Sequence, residues 1–127
     1  MKKQKPIIDR YTTDIYPASD LIVIKYPDNS ILKRFKDIEL TDGSDAITIS
    51  GVLDSNTNKY VTLIILYQPL YKENITHKVG TCAHEALHYV ASLFDWLGSK
   101  LGSDSQEHYC YLLGWATKNI YTTLMKK

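Results

Sequence analysis

The sequence is poor in the residues that mark several classes of protein. Only two cysteines occur among 127 residues, and no apolar run approaches the roughly 18 residues of a membrane-spanning helix. Lysine plus arginine total 15 and aspartate plus glutamate total 14, so the net charge is +1. The strongly basic surface typical of nucleic-acid-binding proteins is therefore missing. No apolar segment follows the basic N-terminus, so we expect no export signal and two reduced thiols.

The rest of the composition is that of an ordinary globular protein, with 44% apolar and 23% charged residues. We expect a single domain over residues 1–127. Apolar runs predict strands at 21–26, 46–53 and 60–67. Helical spacing predicts a short helix near Ile31, or a further hairpin strand in its place, and two long helices at 78–97 and 105–124. This order predicts an α+β fold, in which a small, mostly antiparallel sheet of about three strands packs on the two C-terminal helices.

The first long predicted helix carries the sequence His84-Glu85-Ala86-Leu87-His88, an H-E-x-x-H motif. At 3.6 residues per turn, the two histidines lie about 40° apart around the helix axis and about 6 Å apart along it. Both imidazoles therefore reach one metal ion, and Glu85 is placed to contact a metal-bound water rather than the metal. Neutral imidazoles favour zinc, and a catalytic zinc site keeps one position open. We expect His84 and His88 to bind Zn²⁺.

The same helix has one polar stripe. At 100° per residue, its polar side chains fall within a sector about 100° wide. They are Thr81, His84, Glu85, His88, Ser92 and Asp95. Apolar residues cover the rest of the circumference, which predicts a central, buried helix whose polar stripe lines a cleft. The alternative is an ordinary stripe that faces solvent and happens to contain two histidines.

The motif and the residues after it resemble the gluzincins, zinc peptidases whose third ligand is a glutamate on the next helix. Eighteen residues separate His88 from Glu107, as the gluzincin pattern requires. The resemblance implies that Glu107 is the third zinc ligand. Two alternatives stay open, because Asp104 and Glu107 have the spacing of a helix capping box, and His108 is a second candidate ligand.

The whole chain is also similar to small zincin-like proteins encoded by bacteriophages and prophages. The similarity lies in residues 81–88 (TCAHEALH) and 107–115 (EHYCYLLGW). It implies a minimal zincin-like domain in the cytoplasm of a host cell or in association with a phage. It implies little about a substrate.

Two further side chains are candidates for a role in the reaction. Tyr111 lies one helical turn after Glu107, so its hydroxyl is a candidate for stabilising developing charge during amide hydrolysis. His77 lies just before the predicted helix and is either an oxyanion donor or a histidine on the surface.

The strand before the active helix has an expected role in substrate binding. In zincins such a strand forms the cleft wall, and an extended peptide pairs with its edge. We therefore predict that residues 60–67 form this edge. The candidate substrate-binding residues are Tyr60, Leu63, Ile65 and Tyr67.

Three functions are compatible with these patterns. The first is a zinc-dependent hydrolase of peptide or amide bonds, in which Glu85 takes a proton from the attacking water. The second is a zinc-binding phage accessory or interaction protein without turnover, which the short chain favours because little remains for a second lobe. The third, association with nucleic acid, is disfavoured by the balanced charge. The expected partner is a peptide or protein and not a membrane, while the oligomeric state is left open.

Overall fold

A computed structural model describes residues 4–13, 16, 20–41 and 43–127 of the chain. The strands are β1 (Ile7–Tyr11), β2 (Leu21–Lys25), β3 (Ala46–Asp54) and β4 (Lys59–Leu66). The helices are α1 (Ile31–Arg34), α2 (Gln68–Tyr71), α3 (Ile75–Trp96) and α4 (Gln106–Leu124). The predicted α+β class and the two long helices are confirmed. β1 and the single turn of α2 were not expected from the sequence.

The four strands form one mixed sheet in the order β1-β2-β4-β3. The pairs β1–β2 and β3–β4 are antiparallel, whereas β2 and β4 run parallel. The expectation of about three, mostly antiparallel strands is corrected accordingly. β1 could not be predicted from periodicity, because its residues are half-buried or exposed without a regular alternation. β2 and β4 can run parallel because the chain between them returns through α1 and β3.

The prediction that residues 60–67 form an exposed edge is wrong. β4 lies inside the sheet, between β2 and β3. Leu63 and Ile65 are fully buried and Tyr67 is 8% exposed, whereas Tyr60 is 65% exposed. A continuous apolar run of this kind is typical of a strand covered on both faces. The edge strand that contacts α3 is β3, so the substrate-binding role expected for the β4 residues as an edge loses its basis.

Both faces of the sheet are covered. Leu21 and Val23 of β2 join the apolar cluster beneath α3 and α4, whereas Ile22 and Ile24 join a second cluster on the opposite face, with α1. This alternation follows from the two-residue period of a strand. The helices α3 and α4 therefore lie on one side of the sheet, and the motif helix is fixed against it.

α3 is buried along one face only. Ala86 and Val90 are fully buried on the sheet side, whereas Val79 and Leu87 are 44% and 49% exposed. The expectation of a central helix, buried around most of its circumference, is therefore wrong, because apolar side chains at those two positions face solvent. The predicted end of the helix at Gly98 is confirmed, since this residue has φ of 76°, a conformation that suits glycine after a helix.

Two hydrogen-bonded groups secure the loops around the sheet. Asp54, at the end of β3, is fully buried and accepts hydrogen bonds from the Arg34 side chain. The Tyr71 hydroxyl donates to the Leu66 carbonyl and accepts from the Tyr26 amide at 2.8 Å. Burial raises the pKa of Tyr71 to about 12. Of the helices in the described part of the chain, none combines the length and apolar character needed to cross a membrane.

Candidate metal centre

The structure brings His84, Glu85 and His88 together in the middle of α3. One potential ligand atom from each of these side chains lies within 4.8 Å of the other two. The centroids of the two imidazole rings are 4.9 Å apart, and the ring planes meet at 74°. The Nε2 atoms of the rings are separated by 3.3 Å. Both histidines are exposed, whereas Glu85 is only 4% exposed. The helical spacing of the motif therefore gives a cluster that is open to solvent on its histidine side.

The separation of the two Nε2 atoms fits a shared metal ion. Zinc–nitrogen bonds of about 2.0–2.1 Å at a tetrahedral angle place two ligand nitrogens about 3.3–3.4 Å apart. The observed separation is 3.3 Å. A direct N–H···N hydrogen bond has a similar length, and it would leave one nitrogen as donor and the other as acceptor. The environment of Glu85 provides a second, independent test of the fit.

Glu85 carries a buried oxygen without a partner. Among the described residues, no group forms a hydrogen bond with its Oε2 atom. Burial raises the pKa of the Glu85 carboxyl, and the neighbouring imidazoles of His84 and His88 oppose that rise. A buried, unpaired carboxylate oxygen destabilises a fold. Its place beside two imidazoles is the place expected for a carboxylate that contacts a metal-bound water, so the donor set fits zinc.

The edge strand β3 packs against the motif. The Thr48 hydroxyl donates a hydrogen bond to the Glu85 carbonyl at 3.4 Å. An open pocket of about 640 Å³ lies between the residues at the start of β3 and the first half of α3. Its lining includes Asp45, His77, Thr81, His84 and Glu85. This pocket is therefore formed by the first half of α3 and the start of β3.

His77 and Asp45 form a pair in this pocket. The His77 Nε2 atom lies 2.6 Å from Asp45 Oδ2, and this hydrogen bond raises the pKa of His77. The Asn74 side chain caps α3 by accepting a hydrogen bond from the His77 amide at 2.8 Å. His77 thus lies on the surface, as one interpretation held, and also lines the pocket. Asp45 was not predicted, because only the position of β3 brings this residue of a polar turn to α3.

Glu107 lies apart from the three clustered residues. It is exposed in the first turn of α4, and the cluster found among the described residues does not include it. Phe94 stacks on Tyr109 with ring centroids 4.3 Å apart, so the start of α4 lies beside residue 94. That level is about 9 Å along α3 from His88. A third ligand at Glu107 stays a prediction, and it would require the start of α4 to approach His88.

The capping box, one of the two alternatives for Glu107, is not formed. The N-cap residue of α4 is Ser105 and not Asp104. The Ser105 side chain makes no hydrogen bond to the first turn of the helix. Tyr111 is 54% exposed and His108 is exposed. Within the described ranges, no hydrogen bond or ring contact joins either residue to the motif. Their roles as an oxyanion stabiliser and as a third ligand stay predictions.

Comparisons with known proteins add no relative to this picture. No family model matches the chain, and searches of curated proteins and of solved structures find no match. The geometry of His84, Glu85 and His88 fits the zincin motif in spacing.

Proposed function

We propose that the protein is a zinc-dependent hydrolase of peptide or amide bonds. His84 and His88 are the metal ligands, and Glu85 is the general base. The observation that carries the proposal is the unpartnered, buried Oε2 atom of Glu85 beside two imidazole nitrogens 3.3 Å apart. A purely structural zinc site fills its positions with protein ligands and has no use for such a carboxylate.

A zinc ion held by His84 and His88 would supply Lewis acidity and would lower the pKa of water at its open position towards about 7. Glu85 accepts a proton from the water that attacks the carbonyl carbon and returns it to the leaving nitrogen. A carbon–oxygen bond forms and the carbon–nitrogen bond breaks, so no oxidant or reductant is needed. Burial raises the pKa of the Glu85 carboxyl, and a higher pKa makes a carboxylate a stronger base.

The substrate has a natural wall in β3. This strand ends the sheet beside the motif, and its outer backbone is paired in the described part of the chain at its far end, by an isolated bridge between Asp54 and Phe35. An extended peptide adds to such an edge through main-chain hydrogen bonds. Its carbonyl groups would pass the motif where Thr48 contacts α3. This arrangement replaces the earlier expectation that β4 forms the edge.

The proposal is tested by metal content and by turnover of a casein or mixed-peptide substrate. We expect one zinc per chain in the wild-type protein, loss of zinc in His84→Ala and His88→Ala, and retained zinc with loss of hydrolysis in Glu85→Gln. Glu107→Ala locates the third ligand, since zinc is lost if Glu107 binds it. Full hydrolysis by Glu85→Gln, or a wild-type protein that binds no zinc, would contradict the proposal.

A second candidate function is zinc binding without turnover, in an accessory or interaction protein. One observation favours it: Tyr111, the candidate for stabilising an oxyanion, is 54% exposed, and no hydrogen bond or ring contact among the described residues joins it to the motif. A zinc-loaded wild-type protein that hydrolyses nothing, and whose zinc has four protein ligands by X-ray absorption, would support this candidate. An open fourth position would support the hydrolase.

A further inference from the structure

The edge strand β3 contains a bulge close to the proposed active site. Ile49 pairs with Leu63 and Val52 pairs with Val61, so three steps along β3 match two steps along β4. The extra residue lies at the Ser50–Gly51 step, where Gly51 has φ of 68°. A bulge bends its strand and removes residues from the ladder. It opens space between the sheet and α3.

A cavity of about 900 Å³ lies beneath this bulge. The apolar part of its floor is formed by Tyr89 and Leu93, which are at most 7% exposed. Its rim carries two large aromatic side chains, Tyr60 and Trp96, which are 65% and 67% exposed. The lining also includes three charged residues, Asp20, Lys59 and Asp95. Exposed aromatic rings around an apolar floor are typical of surfaces that a ligand covers.

The cavity lies further along the same two elements, α3 and β3, that carry the motif and its neighbour Thr48. Ser92 lines it and lies one helical turn after His88, about 6 Å along α3. On the opposite wall, Ser50 lies two residues after Thr48, about 7 Å along β3. Both α3 and β3 therefore run from the proposed reaction centre to the cavity. Its middle lies about 10 Å from the motif, which an extended peptide covers in about three residues.

We propose that this cavity binds a large apolar side chain, preferentially aromatic, of an extended polypeptide that lies along β3. Along the substrate, the residue that enters the cavity lies about three positions from the peptide bond that is cleaved at His84 and His88. The inference rests on the proposed function, because it takes the occupant to be the peptide substrate of the proposed hydrolase. A peptide is favoured over a small molecule because the edge of β3 offers backbone groups from the motif to the bulge.

Binding of two nine-residue alanine–serine peptides, which differ only by phenylalanine or alanine at the central position, tests this proposal. The protein is metal-free Glu85→Gln, labelled with ¹⁵N and followed by NMR titration. We expect the phenylalanine peptide to bind at least about tenfold more tightly and to shift the indole N–H signal of Trp96. Equal binding of the two peptides, or shifts confined to other parts of the protein, would overturn the proposal.

Two variants with a matched change locate the side-chain pocket. Ser92→Phe fills the cavity and should reduce the preference below about threefold, whereas Ala91→Phe adds the same ring at an exposed neighbouring position and should leave it unchanged. A preference retained in Ser92→Phe contradicts the assignment. If Ser92→Phe does not fold, Trp96→Ala, which removes part of the rim, replaces it.

The outcome separates this inference from the proposed function. Because the titration uses metal-free protein without the general base, it does not depend on turnover. A peptide preference without zinc binding or hydrolysis supports the cavity and refutes the hydrolase. Hydrolysis without a preference for the phenylalanine peptide supports the hydrolase and refutes the cavity assignment.

Discussion

Replacement of Arg34 by alanine tests what holds the β3–β4 hairpin, which forms one wall of the proposed site. The Asp54 carboxylate is fully buried, and Arg34 donates to its two oxygens at 2.8 Å and 3.1 Å. The Asn56 amide donates a third hydrogen bond at 3.0 Å. These hydrogen bonds, above all those from Arg34, hold the pKa of Asp54 below its ordinary value. The pair therefore fixes the hairpin loop to α1.

The magnitude follows from the burial of the carboxylate. Removal of one partner from a buried pair typically costs about 3–5 kcal/mol, because a buried charge is left uncompensated. The Asn56 amide remains in the Arg34→Ala variant, so we expect a loss of about 2–3 kcal/mol in the free energy of unfolding. Arg10→Ala is the matched control, since Arg10 pairs with Asp20 at a site where both side chains are partly exposed. Such a pair is worth at most about 1 kcal/mol.

Urea unfolding followed by circular dichroism measures both losses at pH 7. The pKa of Asp54 is lowered in the folded state, so its contribution is present above the unfolded value of about 3.8 and is lost as the pH falls through the folded value. The difference between wild type and Arg34→Ala should therefore narrow below about pH 4. Equal losses in Arg34→Ala and Arg10→Ala, or a difference that stays constant into acid, would refute this reasoning.

Three further predictions concern single side chains. NMR titration of the metal-free protein should give His77 a pKa above its ordinary value. Asp45→Asn should lower the pKa of His77, because the carboxylate holds the proton on the imidazole. An unchanged pKa of His77 in this variant would contradict the pairing. Glu85→Gln should raise the free energy of unfolding of the metal-free protein by about 1 kcal/mol, because it removes a buried charge with an unpartnered oxygen; a loss in urea unfolding would argue against this. Tyr71→Phe should cost about 1–2 kcal/mol, because two backbone groups lose their hydrogen-bond partner. A tyrosine titration of this variant should lack the group whose pKa burial raises to about 12.

The local part of the site could be predicted from the sequence, whereas its surroundings could not. His84 and His88 come together because helical geometry depends only on neighbouring residues. Asp45 reaches His77 across 32 positions of sequence, through the placement of β3. No periodicity in a polar turn indicates such a contact, so the pair was outside the reach of pattern analysis.

The edge strand was misassigned for a related reason. A strand is an edge or a centre according to what pairs beyond it, and β4 is central because β2 pairs with its other side. The continuous apolar sequence at the end of β4 was a signal of this central position, and the structure buries these residues. An edge strand beside a solvent-filled groove would alternate apolar and polar residues. β1 was missed because it adds to β2 without a regular alternation of buried and exposed residues.

The correction of the edge strand changes how the proposed activity is distributed over the chain. With β3 as the wall, the groups assigned to chemistry lie on α3, and the bulge and the rim residue Tyr60 lie on the β3–β4 hairpin. The two parts meet at the hydrogen bond that the Thr48 hydroxyl donates to the Glu85 carbonyl. Substitutions at the bulge should therefore change which peptide binds while leaving the two imidazoles in place. Substitutions at His84 or His88 should remove the metal while leaving the cavity intact.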